Sequence, residues 1–347
     1  MKRSIIALLI AIALIVFGTV LAGCSLWNMR GDWDPTAGWE QFTGKKELVN
    51  VQGTISEEFT NIDMDIFWID VELLPSPDGT CYFQAAIYES MPCTVTAENG
   101  TLKVHQADNR RPHEHIGINW NEPTLKLYLP ADTYDQLTVL ASTSDLRIPQ
   151  DFTFKNVNIA TDTGDATLNC QVDEQVNIAT DTGDIHLDAV TCDSISVSTD
   201  TGFVRIQNTD VAQMLSATSS TGSKVLTAVK CGSLKIESTT GDNTLRNVTV
   251  AGNAQLESDT GDWELENVIV SGDAWLDSST GDWELNGFDA ANITIRTDTG
   301  DVEGTLLSDK IFFADSDTGD VEVPRTTSGG TCEITTSTGD IEIDIVP

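Results

Sequence analysis

The residues with the most chemical potential in this chain are carboxylates that recur at a fixed spacing. Thr-Gly pairs fall with Gly at 164, 183, 202, 222, 241, 261, 281, 300, 319 and 339. Asp follows the Gly in eight of the ten, and Phe203 and Ser223 stand there in the other two. Asp242, Asp262, Asp282, Asp301, Asp320 and Asp340 follow six consecutive pairs. If the units stack as strands, these carboxylates line up about 5 Å apart. Neighbours then repel by roughly 0.8 kcal/mol in water. Asp259, Asp298 and Asp317 add a second acidic column two residues before the Gly. In one reading the side chains splay into water and cap their own turns. In the other, divalent cations, Ca²⁺ first, bridge adjacent units. Ca²⁺ wants about six to eight oxygens, more than one column supplies without carbonyls or water. The glycine-rich nonapeptide of Ca²⁺-binding β-rolls is also missing. The expectation is therefore weak, millimolar-range stabilisation by Ca²⁺, concentrated in the later units, and no other cofactor.

Other reactive groups are sparse. Cys81 and Cys93 flank a strand-like run and are the best candidates for a disulfide. Cys192 and Cys231 each lie nine residues after their Gly but two units apart, roughly 9–10 Å and beyond disulfide reach. Cys332 falls on an inward phase, and no C-x-x-C suggests structural zinc. His113-Glu114-His115, beside Arg110-Arg111-Pro112, reads as a solvated loop rather than a metal site. No nucleophile elbow, P-loop or dinucleotide fingerprint occurs. Paired carboxylates on a β-helix could act on polysaccharide. Yet no unit between 164 and 339 departs from 19–20 residues, so no longer loop builds a cleft wall, and catalysis is not expected. Trp275 falls on an outward phase. It could stack on a sugar ring or be an ordinary exposed aromatic.

The elements that carry these residues are strands. Ser or Thr stands three residues before every Gly, from Thr161 to Thr336. Apolar residues alternate before each turn, as in Val176/Ile178 and Ile195/Val197, and after it, as in Ile185/Leu187 and Trp263/Leu265. Period two is the strand signal, and no helical period follows the N-terminal segment. Each unit is strand, turn, strand and a looser return. Identical turns at near-constant length fit a solenoid whose equivalent strands stack in parallel, rather than a hairpin meander. The fold expected is all-β, a parallel β-helix or β-solenoid of 19–20-residue rungs. Gly would supply a positive φ at the corner. Trp263 and Trp283 would stack inward. Ser142-Thr143-Ser144-Asp145 reads as a degenerate earlier copy.

The N-terminus reads as a targeting segment. Lys2-Arg3 precedes an uncharged apolar run, Ile5 to Ala22, the pattern of an export signal. Leu21-Ala22-Gly23-Cys24 is similar to a bacterial lipobox, in which the Cys24 thiol is lipidated and the chain cut before it. An uncleaved membrane-anchoring helix is the alternative. Either places the rest of the chain outside the cytoplasmic membrane. The expected organisation is a signal segment (1–23), a tether (24–50) holding Trp27, Trp33 and Trp39, an N-terminal β region with degenerate rungs (51–150) and regular repeats (151–347). The chain carries 19 basic and 54 acidic residues, a net charge of −35. That excludes a nucleic-acid backbone as partner and disfavours direct docking on anionic lipid.

These repeats resemble a bacterial surface family of candidate adhesins whose domain has no assigned function. The resemblance also covers Phe59-Thr60-Asn61-Ile62-Asp63, Leu74-Pro75-Ser76-Pro77-Asp78-Gly79, Thr94 to Leu102, Ile116-Gly117-Ile118-Asn119 and Leu127-Tyr128-Leu129-Pro130, and so runs from about residue 50 to the end. It implies a right-handed β-solenoid on the cell exterior and transfers no catalytic residue. The departures are Phe203, Ser223 and the lipobox in place of an ordinary anchor helix. The function expected is a membrane-anchored surface module that binds a glycan or protein ligand or serves structurally. The alternative is an envelope sensor acting through a membrane partner.

Overall fold

A computed structural model describes residues 47–110 and 121–346. Among these residues the chain forms strands and turns and no helix. One rung shows the construction. It runs along Gln171–Thr182, turns at Gly183-Asp184 and continues along Ile185–Asp188. Val176, Ile178, Ile185 and Leu187 point inward and are buried. The next rung lies parallel and in register, with Val176 opposite Ile195, Ile178 opposite Val197 and Ile185 opposite Val204. Alternation sends one side chain in two to the interior, and parallel stacking then sets like upon like. The result is one continuous apolar core from Ile62 to Ile343. Burying each Val, Ile or Leu contributes roughly 1.5–3 kcal/mol, which offsets the entropy lost in ordering the backbone.

The corner glycines meet two demands, seen at Gly261. Its φ is 136°, and a Cβ there would sit 2.3 Å from the Gly241 carbonyl oxygen of the rung below. A second corner follows the post-turn strand. Here Ala189, Asn208, Ala228, Asn247 and Asn267 take φ values of 57°, 49°, 55°, 55° and 53°. The third side is a short parallel ladder in which Cys192, Val211, Cys231 and Val250 stack in that order. Cys192 and Cys231 are thus two rungs apart, with Val211 between them.

The head of the stack is more elaborate than the repeats. Asn61–Trp68 and Asp70–Pro75 form an early rung, with Ile62 opposite Leu137 and Met64 opposite Val139 of Thr133–Thr143. The intervening chain builds a cap. Cys81–Ile87 runs antiparallel to both Val49–Ile55 and Thr124–Leu129. Cys93–Glu98 and Thr101–Gln106 form a hairpin through Asn99-Gly100 at φ 53° and 77°, the geometry that matches strand twist in a two-residue turn. The core passes residue 150 without a break, because Thr133–Thr143 pairs directly with Thr153–Thr163.

The tail departs from the sequential stack that even spacing suggests. Gly330–Thr338 lies between Asn292–Thr299 and Lys310–Thr318, so the last two rungs are stacked in reverse order. Ile341–Ile345 likewise separates Val302–Leu306 from Val321–Glu322. Burial follows the order. The inserted rung contributes Cys332, Ile334, Ile341 and Ile343, all buried. The outermost rung contributes Phe312, Ala314 and Val323, which are partly buried, and Val321, which is exposed. The inserted rung has a neighbour on both sides and the outermost rung on one. Lys310 then reaches past the inserted rung, its Nζ 2.6 Å from Asp289 Oδ1.

Candidate functional site

The acidic corner is a ladder. The backbone N–H of Asp165 donates to Asp145 Oδ1 at 2.9 Å, and that of Asp184 to Asp165 Oδ1 at 2.8 Å. Past the two exceptions the same bond links Asp262 to Asp242 (3.1 Å), Asp282 to Asp262 (3.0 Å) and Asp301 to Asp282 (2.8 Å). The reversed tail continues it, from Asp340 to Asp301 and from Asp320 to Asp340, each at 2.7 Å. Each carboxylate up to Asp340 therefore caps the neighbouring rung, not its own turn, and Asp320 ends the ladder as a donor only. Phe203 keeps the N–H end of the bond, donating to Asp184 Oδ1 at 2.7 Å, but offers no acceptor onward. At the head, Asp145 N–H donates to Asp70 Oδ1 at 3.0 Å. Burial pushes the Asp70 carboxyl above its ordinary value, and that hydrogen bond works in the opposite direction.

The carboxylates expected to bridge cations, Asp242, Asp262, Asp282, Asp301, Asp320 and Asp340, are all members of this ladder. One oxygen of each of the first four and of Asp340 already accepts an inter-rung N–H. Among the described residues no three His, Cys, Asp or Glu side chains converge as metal ligands.

Behind the corner runs the Ser/Thr column, buried and polar. Thr199 and Thr336 hydroxyls donate to the carbonyls of Gly183 and Gly300 at 3.1 and 3.2 Å. Ser258 and Ser278 instead accept from Trp263 and Trp283 Nε1, each at 2.8 Å. Those two indoles stack with ring centroids 4.9 Å apart. Two rungs earlier the same inward column holds Lys224, which is 0% exposed. Its Nζ donates to Ser219 Oγ at 2.6 Å, and burial pushes the amine down to about 8. Asn243 lies opposite Lys224 in the adjacent rung, and Asn243 Oδ1 and Ser238 Oγ have no hydrogen-bond partner. This polar block was overlooked in the sequence, although Lys224 is two residues after Gly222, on the phase of Val204 and Trp263.

The remaining candidates separate. Cys81 and Cys93 are unbridged thiols, which corrects the disulfide expectation. Cys81 opens Cys81–Ile87, whereas Cys93 follows the turn at the far end of that strand. A strand of that length spans roughly 20 Å. Burial raises both thiols to about 11. Trp275 is outward and 45% exposed. Arg296 covers one ring face, its guanidinium 5.1 Å from the centroid, which leaves one face for any stacking partner. Cys24, the tether tryptophans Trp27, Trp33 and Trp39, and His113-Glu114-His115 lie outside the described residues.

Comparison with known proteins adds a family. The profile of the Toastrack DUF4097 family matches residues 60–268 and again 225–347. No curated protein matches the chain. Similar solved structures include a candidate adhesin from Bacteroides fragilis, 12% identical, covering 87% of this chain and 98% of that one at a TM-score of 0.32. A candidate lipid binding protein from Parabacteroides distasonis is 10% identical, with 85% and 97% covered and a TM-score of 0.38. A candidate cell adhesion protein from Clostridium sporogenes is 7% identical, with 86% and 100% covered and a TM-score of 0.24.

Proposed function

The chain belongs to the Toastrack DUF4097 family, and from that premise we propose that it is a membrane-anchored, adhesin-like binding or structural module on the outer face of a bacterial cytoplasmic membrane. The observation that carries this reading is the evenness of the solenoid. Every rung from Gly164 to Gly339 keeps the same corner spacing, so the body offers repeated outward faces rather than a walled cleft. Such faces suit an extended ligand, a glycan or a protein, and a non-enzymatic role. The anchor in this reading is lipid on Cys24, after Lys2-Arg3 and the apolar run that follows.

Two measurements test it. The full chain is applied to glycan and matrix-protein arrays, where binding to a defined ligand supports a surface module. Failure on all arrays, together with a stoichiometric membrane partner on co-purification, would favour the sensor role instead. Fatty-acid labelling is expected for the native chain and lost in Cys24→Ala. Labelling that persists in Cys24→Ala sinks the lipobox assignment.

A further inference from the structure

Four connections of the N-terminal cap meet around a cleft of about 670 Å³. They are the chain after Val49–Ile55, the entry to Cys81–Ile87, the Asn99-Gly100 turn and the loop before Thr133–Thr143. That volume falls in the range that encloses a small organic ligand. Its floor is aromatic. Phe59 stacks on Tyr134 with centroids 6.0 Å apart and ring planes 19° from parallel. Tyr134 is buried beneath Phe59, stacked on Phe154 with centroids 5.6 Å apart and with its hydroxyl spent on the Pro130 carbonyl at 2.8 Å, so the half-buried Phe59 is the ring left to the cleft. Ile55 and the buried Cys81 complete the apolar lining. The rim is acidic. Glu57, Glu58 and Asp132 are exposed there, and no Lys, Arg or His is among the lining residues. The chain's charge of −35 deepens the negative potential at such a mouth and repels anions.

We propose that this cleft binds a small organic cation with a flat apolar body, an arylalkylamine in chemical class. The aromatic part lies against Phe59, and the ammonium is held by the rim carboxylates and by the ring face. The proposal stands apart from the surface-ligand reading, because the cleft is in the cap and uses none of the repeated faces.

The test is a titration of the full chain with 2-phenylethylamine, followed by ligand-observed NMR. The neutral 2-phenylethanol and the anionic phenylacetate serve as controls. The amine should bind at least about tenfold more tightly than the alcohol, with no binding of the anion, and salt should weaken it several-fold. Glu57→Gln/Glu58→Gln/Asp132→Asn should abolish the preference for the amine over the alcohol. Phe59→Ala should weaken both ligands together. A matched triple on the solenoid corner, Asp262→Asn/Asp282→Asn/Asp301→Asn, should leave amine binding unchanged. Circular dichroism checks that each variant is folded. Equal binding of amine and alcohol, no binding of the amine, or equal loss in the two triple variants would each overturn the proposal. The last result would mean diffuse charge attraction and no site.

Discussion

Lys224 shows how far a single side chain can run against its type. An ammonium buried without a carboxylate partner is costly, and its displaced titration states the cost. The amine titrates at about 8 in the folded chain and near 10.5 when unfolded. The charge penalty is therefore complete below pH 8 and gone above 10.5. Stability should rise as pH climbs through that window, by about 3 kcal/mol in total. Lys224→Met should stabilise the protein at pH 7 by a similar order and flatten the profile, as read by chemical denaturation across pH. A flat profile in the native chain would show that the amine reaches water. Ala228 offers a second test. It holds φ at 55° between Asn208 and Asn247 in the same corner column. Asn tolerates that conformation better than Ala, so Ala228→Asn should add about 0.5 kcal/mol. No change in the denaturation midpoint would argue that the corner relaxes. Both residues sit at repeat positions visible in the sequence. The inward phase of Lys224 follows from the repeat, but its hydrogen bond to Ser219 and the φ of Ala228 do not, because both depend on the backbone geometry of the corners.

At the scale of the element, the corner is held from two directions. Asp side chains cap the next rung, and glycines let the rungs approach. Asp262→Ala/Asp282→Ala should cost about 1 kcal/mol per lost acceptor. Asp262→Asn/Asp282→Asn keeps an acceptor oxygen and should cost less. Because the carboxylates serve the backbone, CaCl₂ and NaCl at equal ionic strength should raise the melting temperature equally. A Ca²⁺-specific shift that vanishes in Asp262→Asn/Asp282→Asn would show cation bridging instead. Gly261→Val meets both positive φ and a carbonyl at 2.3 Å, and should cost about 3 kcal/mol or more in a denaturant titration. A smaller loss would mean the rungs can separate locally. The first corner was legible because Gly, Thr and Asp each have a turn chemistry. The second was hidden because Asn and Ala share its positions without a motif.

At the scale of the whole molecule, the reversed tail makes a sharp prediction. Thr294 lies opposite Glu333, and Glu333 opposite Phe313, all on the outward phase. Thr294→Cys/Glu333→Cys should form a disulfide on oxidation, because neighbouring strands lie about 4.8 Å apart. Thr294→Cys/Phe313→Cys, two rungs apart, should not. A sequential stack would give the opposite pattern, read by the mass of the digested peptides. The sequence by itself determined the strands, their inward phase, the 19–20-residue rung and the parallel stack. Each of these follows from a local period repeated many times, and repetition makes a weak local signal decisive. The tertiary structure alone decided three things. It set the order of the last two rungs, since near-identical units can stack in either order and no local period tells them apart. It assigned the carboxylate column to backbone capping, since a side chain's partner depends on what lies across the stack. And it brought Phe59, Cys81 and Tyr134 together in the cap, since that cleft is built from connections with no shared period.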